Sequence, residues 1–408
     1  MQVVIVGAGA AGLMAAGAAV RAGCRVTVLE HMPEPAKKIL VTGKGRCNLT
    51  NNCDNEEFLR NVRTNPRFLY SCLRAFGTAD AMAFFEDLGV PLKTERGRRV
   101  FPESDKASEV RYALLRWAEG AKLVRAEARE LLLEDGRCTG VRADTGDFAA
   151  DAVLIATGGV SYPATGSTGD GYKLAAQAGH TIVDPVPSLV SLVEAGGLCR
   201  QMTGLSLRNV ELSLLEDGKE IFRERGEMLF THFGISGPLT LSASAHIRDM
   251  RAHKYEASID LKPALDEAAL YKRITGDFAK LANKDAVNAL DLLLPAKMRP
   301  VACERWGVPA DRKANQITRE EKQALVKLLK DWRVPIRSRG DLEHAVITSG
   351  GVDVRQVNPR TMESRLCPGL YFAGEVLDVD AYTGGYNLQI AWSTAQAAAR
   401  ALAEQAGA

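Results

Sequence analysis

Residues 2–12 read QVVIVGAGAAG, and residues 25–30 read RVTVLE. Gln2 to Val6 is a short, mostly β-branched apolar run, suited to a strand buried on both faces. Gly7, Gly9 and Gly12 complete G-x-G-x-x-G, and Leu13 to Ala19 continue as a small-residue helix. In such a turn the first glycine permits the bend, the second lets the backbone approach a pyrophosphate, and the third lets helix pack on strand. The helix N-terminus offers free N–H groups and partial positive charge to phosphates. Glu30 follows Gly12 by 18 residues, at the end of the second strand. A carboxylate there suits ribose hydroxyls and repels a 2′-phosphate. These features predict a dinucleotide site, with NAD and FAD both open at this point.

Near the other end, residues 369–389 read GLYFAGEVLDVDAYTGGYNLQ. Leu370 to Ala373 is strand-like, Gly374-Glu375 follows, and Gly384 to Gln389 opens a helix running through Ala401. An acidic residue after that strand suits the ribityl or pyrophosphate region. Backbone N–H groups at the second helix N-terminus suit the flavin pyrimidine edge, where negative charge develops on reduction. A simple dehydrogenase has no such second segment, so the pair predicts FAD.

At 408 residues the chain is long enough for two or three domains. It is 46% apolar and 25% charged, with a net charge of +2. That balance makes no electrostatic case for nucleic acid or an anionic membrane as partner. No apolar run approaches the roughly 20 residues of a membrane span. The N-terminus enters the first strand at once, without the pattern of a signal peptide. Eight cysteines are scattered without zinc or C-x-x-C spacing, which fits a reducing cytoplasm. The expectation is a cytoplasmic protein acting on a small molecule, with oligomeric state open.

Between the two signatures the texture changes. Residues 31–52 form a polar, glycine-bearing loop too long to be a mere connection. Helical periodicity runs through Asn65 to Gly89 and Ala107 to Gly120. Lys122 to Leu133 and Arg137 to Asp144 read as a hairpin turning at Asp135-Gly136. Val153 to Ile155 is a buried strand. After Pro185, alternation at Val210, Leu212 and Leu214, a turn at Asp217-Gly218, and strand-like Met228–Phe230 and Tyr255–Leu261 predict a small antiparallel barrel or sandwich. Ala264 to Trp332 is helical in pattern, and strand texture returns near His344 to Thr348. A nucleotide-binding domain interrupted by an insert of about 150 residues accounts for this order.

Ala156-Thr157-Gly158-Gly159 follows a buried strand, and its glycines let the backbone pass close to a dinucleotide. The stretch VSYPATGSTGDGY that continues to Tyr172 is dense in small hydroxyl residues, and with Tyr162 it suits a wall near the isoalloxazine. Cys47 and Cys53 are separated by five residues, and Cys47 is read as a small loop residue rather than half of a redox disulfide. His232, within FTHFGISGP, is read as a satisfied structural histidine, with an acid/base role as the sharper alternative. The remaining histidines form no metal-ligand constellation. Arg96, Arg98 and Arg99 read as a solvated turn, with a clamp for an anionic substrate as the sharper alternative.

GKGRCNLTN (43–51), GGVSYPATGSTGDGY (158–172), FTHFGISGP (230–238), ITSGGV (347–352) and TMESRLCPGLYFAGEVLDVDAYTGGYNLQIAWSTA (361–395) together resemble the bacterial NAD(P)/FAD-dependent oxidoreductases of the aminoacetone oxidase type. That group also includes flavoproteins acting as bile-acid-pathway reductases. The resemblance spans essentially the whole chain. It implies an α/β fold: a glutathione-reductase-like FAD-binding Rossmann domain from both chain ends, with an inserted β-barrel carrying a small helical domain. The corresponding boundaries are 1–185 and 351–408 for the FAD domain, 186–262 and 334–350 for the barrel, and 263–333 for the helices.

The cofactor set expected from motif and resemblance comes in four parts. Gly7, Gly9, Ala10, Ala11, Gly12 and Glu30 come from the opening, and Gly43, Gly45, Arg46, Cys47 and Asn48 from the loop. Ala128, Ala156, Thr157, Gly158 and Gly159 come from the middle; Gly374, Glu375, Gly385, Asn387, Leu388 and Gln389 come from the end. Only one G-x-G-x-x-G is present, so a permanently bound NAD(P) is not expected beside FAD, and NAD(P)H would visit transiently. The expected activity is hydride transfer between a small organic substrate and flavin, with oxygen or NAD(P)H as the other redox partner. Tyr162, His232 and Tyr382 are the candidate catalytic pocket residues. An RNA-modifying flavoprotein and a non-catalytic flavin-binding protein are the alternatives.

Overall fold

The computed structural model describes residues 1–407. Its chain divides into two compact units, Met1–Ser188 together with the chain from Leu342 onward, and Leu189–Asp341.

The first unit is built on a five-stranded parallel sheet. Its order is Leu370–Phe372, Ala152–Ile155, Gln2–Val6, Arg25–Glu30 and Lys122–Arg125. The three strands at the Leu370 side are buried almost residue for residue, as a sheet covered on both faces requires. Helices Ala10–Arg21 and Tyr386–Ala406 pack together against this sheet. Their alanines and glycines permit close approach. A Cβ at Gly17 would overlap the indole of Trp117, whose Nε1 donates to Met14 O at 3.0 Å.

Smaller antiparallel sheets decorate this unit. One is Ala128–Glu134, Arg137–Ala143 and Gly146–Ala149. Its first turn has Asp135 and Gly136 at φ +50° and +77°, the geometry that Asp-Gly favours in a two-residue hairpin. The run Lys122 to Leu133, expected as one strand, is two: Lys122–Arg125 joins the parallel sheet, and only Ala128 onward enters the hairpin. Thr50–Asn51, Leu92–Glu95 and Arg99–Pro102 form a second small sheet. Ile182–Ser188 pairs with Ile347–Val352 in a third. The prolines in IVDPVPS mask that strand in the sequence; here it lies at a sheet edge with a register shift, where proline is tolerated.

The second unit is a closed six-stranded antiparallel barrel with helices. Around the barrel run Leu192–Glu194, Gly234–Ser236, Lys219–Phe230, Ser206–Glu216, Tyr255–Asp260 and Trp332–Arg339. Asp217 and Gly218 turn the main hairpin at φ +49° and +82°. Two features differ from the expected boundaries. Ile347–Val352 belongs to the first unit through its pairing with Ile182–Ser188, not to the barrel. Helices Glu267–Lys280 and Arg319–Lys330 bury Leu270, Ile274, Leu325 and Leu329 in one apolar core with barrel residues such as Leu212 and Ile259. The helical segment is therefore part of the barrel's core. No described helix is long and apolar enough to cross a membrane.

Candidate flavin site

Because the five strands run parallel, Val6, Glu30, Ile155 and Phe372 all end at the same edge of the sheet. Ligands of open α/β sheets sit at the carboxyl ends of the strands, and the glycine-rich segments of the sequence gather there. A Cβ on Gly7 would come to 2.6 Å from Ala156 O, and one on Gly12 would overlap Gly7 O. A Cβ on Gly374 would come to 3.0 Å from that of Ala11. The segments 7–12, 156–159 and 374–375 are thus in contact. Gly9 differs from its two partners. Its φ is −80°, and a Cβ there would meet only Ala156 O at 4.0 Å. The protein's own packing requires Gly7 and Gly12 but leaves room at Gly9, which is the cradle a pyrophosphate needs. The amides of the first turn after Gly9 have no intrahelical acceptor.

Glu30 accepts hydrogen bonds from the amides of Ala8 at 2.8 Å and Met32 at 2.8 Å. The turn thereby holds its carboxylate, whose remaining lone pairs suit ribose hydroxyls. Ala128 begins the antiparallel sheet opposite Ala143, while nearby Ala126 donates its amide to Glu30 O at 3.0 Å.

The loop 31–52 folds back over this edge. Gly43, Lys44, Gly45 and Cys47 all adopt positive φ, three of them in succession. Arg46 is tied outward, to Glu95 at 2.6 Å and Asp105 at 2.9 Å, with its guanidinium over Phe101. Cys47 and Cys53 are free and buried. Burial pushes the Cys47 thiol up to about 12 and Cys53 to about 11, so neither is a ready thiolate. Arg98 pairs with Glu57 and Arg99 lies 3.9 Å from Glu95, on the exposed turn around Gly97.

Lys38, which nothing in the sequence pattern marked, reaches the segments that follow strands Ala152–Ile155 and Leu370–Phe372. Its ammonium lies 2.7 Å from Glu375 Oε2 and donates to Ser161 Oγ at 2.7 Å. Glu375 Oε1 accepts from Ser161 Oγ at 2.8 Å and from Thr348 N–H at 2.8 Å. Thr348 Oγ1 in turn accepts the amides of Val160 and Ser161. Burial works to raise the Glu375 carboxyl, but the Lys38 ammonium and these donors hold it below its ordinary value. Four chain segments are fastened at one carboxylate. The link is invisible in sequence because Lys38 and Glu375 are 337 residues apart.

The C-terminal residues divide into two kinds. The side chain of Gln389 is committed to the protein: it accepts from Thr50 Oγ1 at 2.7 Å and donates to Ser393 Oγ and Phe76 O. Asn387 is likewise spent on Ala381 and Tyr382 backbone. What this region leaves for a ligand is the first-turn amides of Tyr386–Ala406, after Gly385 at φ +94°. Several buried polar atoms in the first unit have no protein partner, among them Asn48 Oδ1, Asn51 Oδ1 and Tyr172 OH. Native interiors rarely leave such groups unmet. With the open cradle at Gly9, they fit a large polar cofactor.

The three pocket candidates have different settings. Tyr162 is a non-glycine residue at φ +52° on the loop that Lys38 and Thr348 anchor, a backbone strain of the kind kept at functional sites. Tyr382 lies with its ring 5.4 Å from the Arg63 guanidinium. His232, read as a satisfied histidine, is instead exposed in the second unit and makes no hydrogen bond to the described residues. Its ring meets that of Phe233 edge-on at 4.9 Å.

Residues 1–401 match the family model described as HI0933-like protein Rossmann domain. The chain belongs to that family. It is a family of FAD-dependent oxidoreductases with this Rossmann fold. The chain is 33% identical over 411 residues to a protein of Clostridium scindens named 3-dehydro-bile acid delta(4,6)-reductase, covering 98% of each chain. It is 32% identical over 403 residues to an Escherichia coli protein named ribosomal RNA dihydrouridine synthase, covering 98% of this chain and 97% of that one. Among solved structures, the 3-ketosteroid-delta4-(5alpha)-dehydrogenase of Rhodococcus jostii RHA1 shares the fold. Its TM-score is 0.54 at 16% identity, over 98% of this chain and 97% of that one.

Proposed function

We propose that this protein reduces a carbon–carbon double bond conjugated to a carbonyl in a small ring substrate, with NAD(P)H as the transient source of electrons. The observation that carries the reading is the match, over 98% of both chains, to a protein named as a reductase of a delta(4,6) bile acid. Reduction of such an enone adds hydride at the β-carbon and a proton at the α-carbon. FAD, when bound, supplies the hydride.

The chain's own residues have the remaining tasks. Gly9 and the following amides receive the pyrophosphate, and Glu30 takes the ribose. The Lys38–Glu375 pair fastens the loops of Ser161 and Thr348, which would help hold the cofactor. Tyr382 and Tyr162 are the proposed proton donors, each holding its proton on a phenol oxygen. Tyr382→Phe should lower kcat by about a hundredfold while leaving flavin bleaching by NAD(P)H unchanged, as stopped-flow absorbance would measure.

A second reading rests on the Escherichia coli relative, whose name implies the same saturation on a uracil ring within RNA. One experiment separates the two. The holoprotein is bleached anaerobically with NADH or NADPH, then mixed with a 3-oxo-4,6-diene steroid or with ribosomal RNA fragments. Return of the flavin band with the steroid, together with loss of the diene absorbance, is expected. Return with RNA alone would transfer the reading to RNA. No bleaching by either nicotinamide would discard the reductase and leave an oxidase, with oxygen as acceptor.

A further inference from the structure

Asn51 is 1% exposed and sits in the short strand Thr50–Asn51, against the loop that begins the long C-terminal helix. Its Nδ2 donates to two backbone carbonyls, Gly97 O at 3.1 Å and Gly384 O at 3.0 Å. Both are acceptors, so the amide cannot be flipped without setting oxygen against oxygen. That fixes Oδ1 on the remaining side, where it is buried and has no donor. Asn48 Oδ1 is also unmet, but no hydrogen bond fixes the orientation of that amide.

The same corner holds a second unmet group of opposite sense. The amides of Tyr386, Asn387 and Leu388 open a 21-residue helix and have no acceptor within it. Thr50 is locked to this terminus: its hydroxyl donates to Gln389 at 2.7 Å, and a Cβ on Gly385 would overlap its carbonyl. Strand and helix terminus therefore keep one geometry. Together they offer donors beside a single acceptor.

A ligand complementary to that corner carries an N–H flanked by carbonyl oxygens. The isoalloxazine pyrimidine edge has this order, O2, N3–H, O4. We propose that Asn51 Oδ1 accepts the flavin N3–H while first-turn amides of Tyr386–Ala406 donate to a neighbouring flavin carbonyl. Asn51 is then a specificity-determining residue for the cofactor ring itself. The proposal rests on FAD occupying the site described above. A uracil ring has the same imide edge, so the test contains neither RNA nor uridine.

Apoprotein prepared from the native holoprotein is titrated with FAD and with 3-methyl-FAD, which lacks the N3 proton, by quenching of flavin fluorescence. A buried acceptor left unmet costs enough to weaken binding about tenfold or more. The wild type should therefore bind 3-methyl-FAD at least tenfold more weakly than FAD. Asn51→Leu should bind FAD at least tenfold more weakly and treat the two flavins alike, with unchanged far-UV circular dichroism. If that variant does not fold, Asn51→Ser, too short to reach, serves the same comparison. Equal affinity of the wild type for both flavins, or a preference that survives in the variant, overturns the assignment to Asn51. Failure of the wild type to bind FAD at all would instead remove the flavoenzyme reading beneath it.

Discussion

Strand Tyr255–Asp260 of the barrel alternates buried and intermediate residues along its whole length. Loop Val41–Asn51 of the first unit follows no such period and holds Gly43, Lys44, Gly45 and Cys47 at positive φ. The barrel side of the comparison is built by local rules: alternating side chains, an Asp-Gly hairpin, capped helices. The loop side departs from them: Lys44 and Cys47 hold positive φ outside any hairpin turn, and two buried amide oxygens within four residues, Asn48 Oδ1 and Asn51 Oδ1, have no donor, whereas the unmet atoms of the barrel unit, Thr275 Oγ1 and Trp332 Nε1, are scattered. Departures from local consistency are expected where a chain is shaped for something other than its own stability. The contrast locates the site more sharply than any one motif does.

The largest effect that could break this contrast is at the first-helix glycines. Gly12→Ala forces a Cβ onto Gly7 O and should cost about 3 kcal/mol, measured by urea unfolding of the apoprotein, with loss of FAD. Gly9→Ala should leave that unfolding midpoint nearly unchanged and still weaken FAD by at least tenfold, since its Cβ would fill the cradle. If both variants lost equal stability, Gly9 would be a structural glycine and the cradle argument would fail.

Lys38→Met comes next. Removing the cation strands the partly buried Glu375, and a cost of about 2 kcal/mol is expected, below that of a fully buried pair. The pH dependence adds a sign. Because Glu375 is held below its ordinary 4.5, its contribution is present above that pH and fades as pH falls toward the folded value. Wild-type stability should therefore drop more steeply than that of Lys38→Met in unfolding curves taken from pH 6 to pH 3. Parallel curves would mean the pair contributes nothing.

The smallest effect belongs to the barrel unit. Thr318 caps helix Arg319–Lys330, its Oγ1 accepting from Glu321 N–H at 3.2 Å while Glu321 Oε2 accepts from Thr318 N–H at 2.8 Å. Thr318→Ala should cost about 1 kcal/mol and leave FAD affinity untouched. A change in FAD binding from this variant would show that the two sides of the comparison are not separable.

Much of the architecture was legible because it is written in local backbone requirements. The βαβ opening, the Asp135-Gly136 and Asp217-Gly218 turns and the helical pattern after Ala264 each follow from neighbouring residues. The strand Ile182–Ser188 was not legible, since its prolines argue against a strand until an edge position is known. Of the candidate site, the close packing of Gly7 and Gly12 and the place of Glu30 at the end of its strand could be read directly. Asn387 and Gln389 also lie in the quoted motif, yet their side chains turned out to be spent on the protein. Lys38 and Asn51 were missed for a common reason: their partners lie 337 and 333 residues away.

By itself, the sequence determined that a parallel strand, a glycine turn and a helix would open this chain, and that a strand and a second helix would close it. Those are properties of residues within one turn or strand of each other, where φ, ψ and side-chain size decide the outcome. The tertiary structure alone decided which distant groups face one another: Lys38 at Glu375, Asn51 at Gly384, and Ile347–Val352 beside Ile182–Ser188 rather than in the barrel. A hydrogen bond or ion pair depends on where two chain segments cross. No local pattern carries that information.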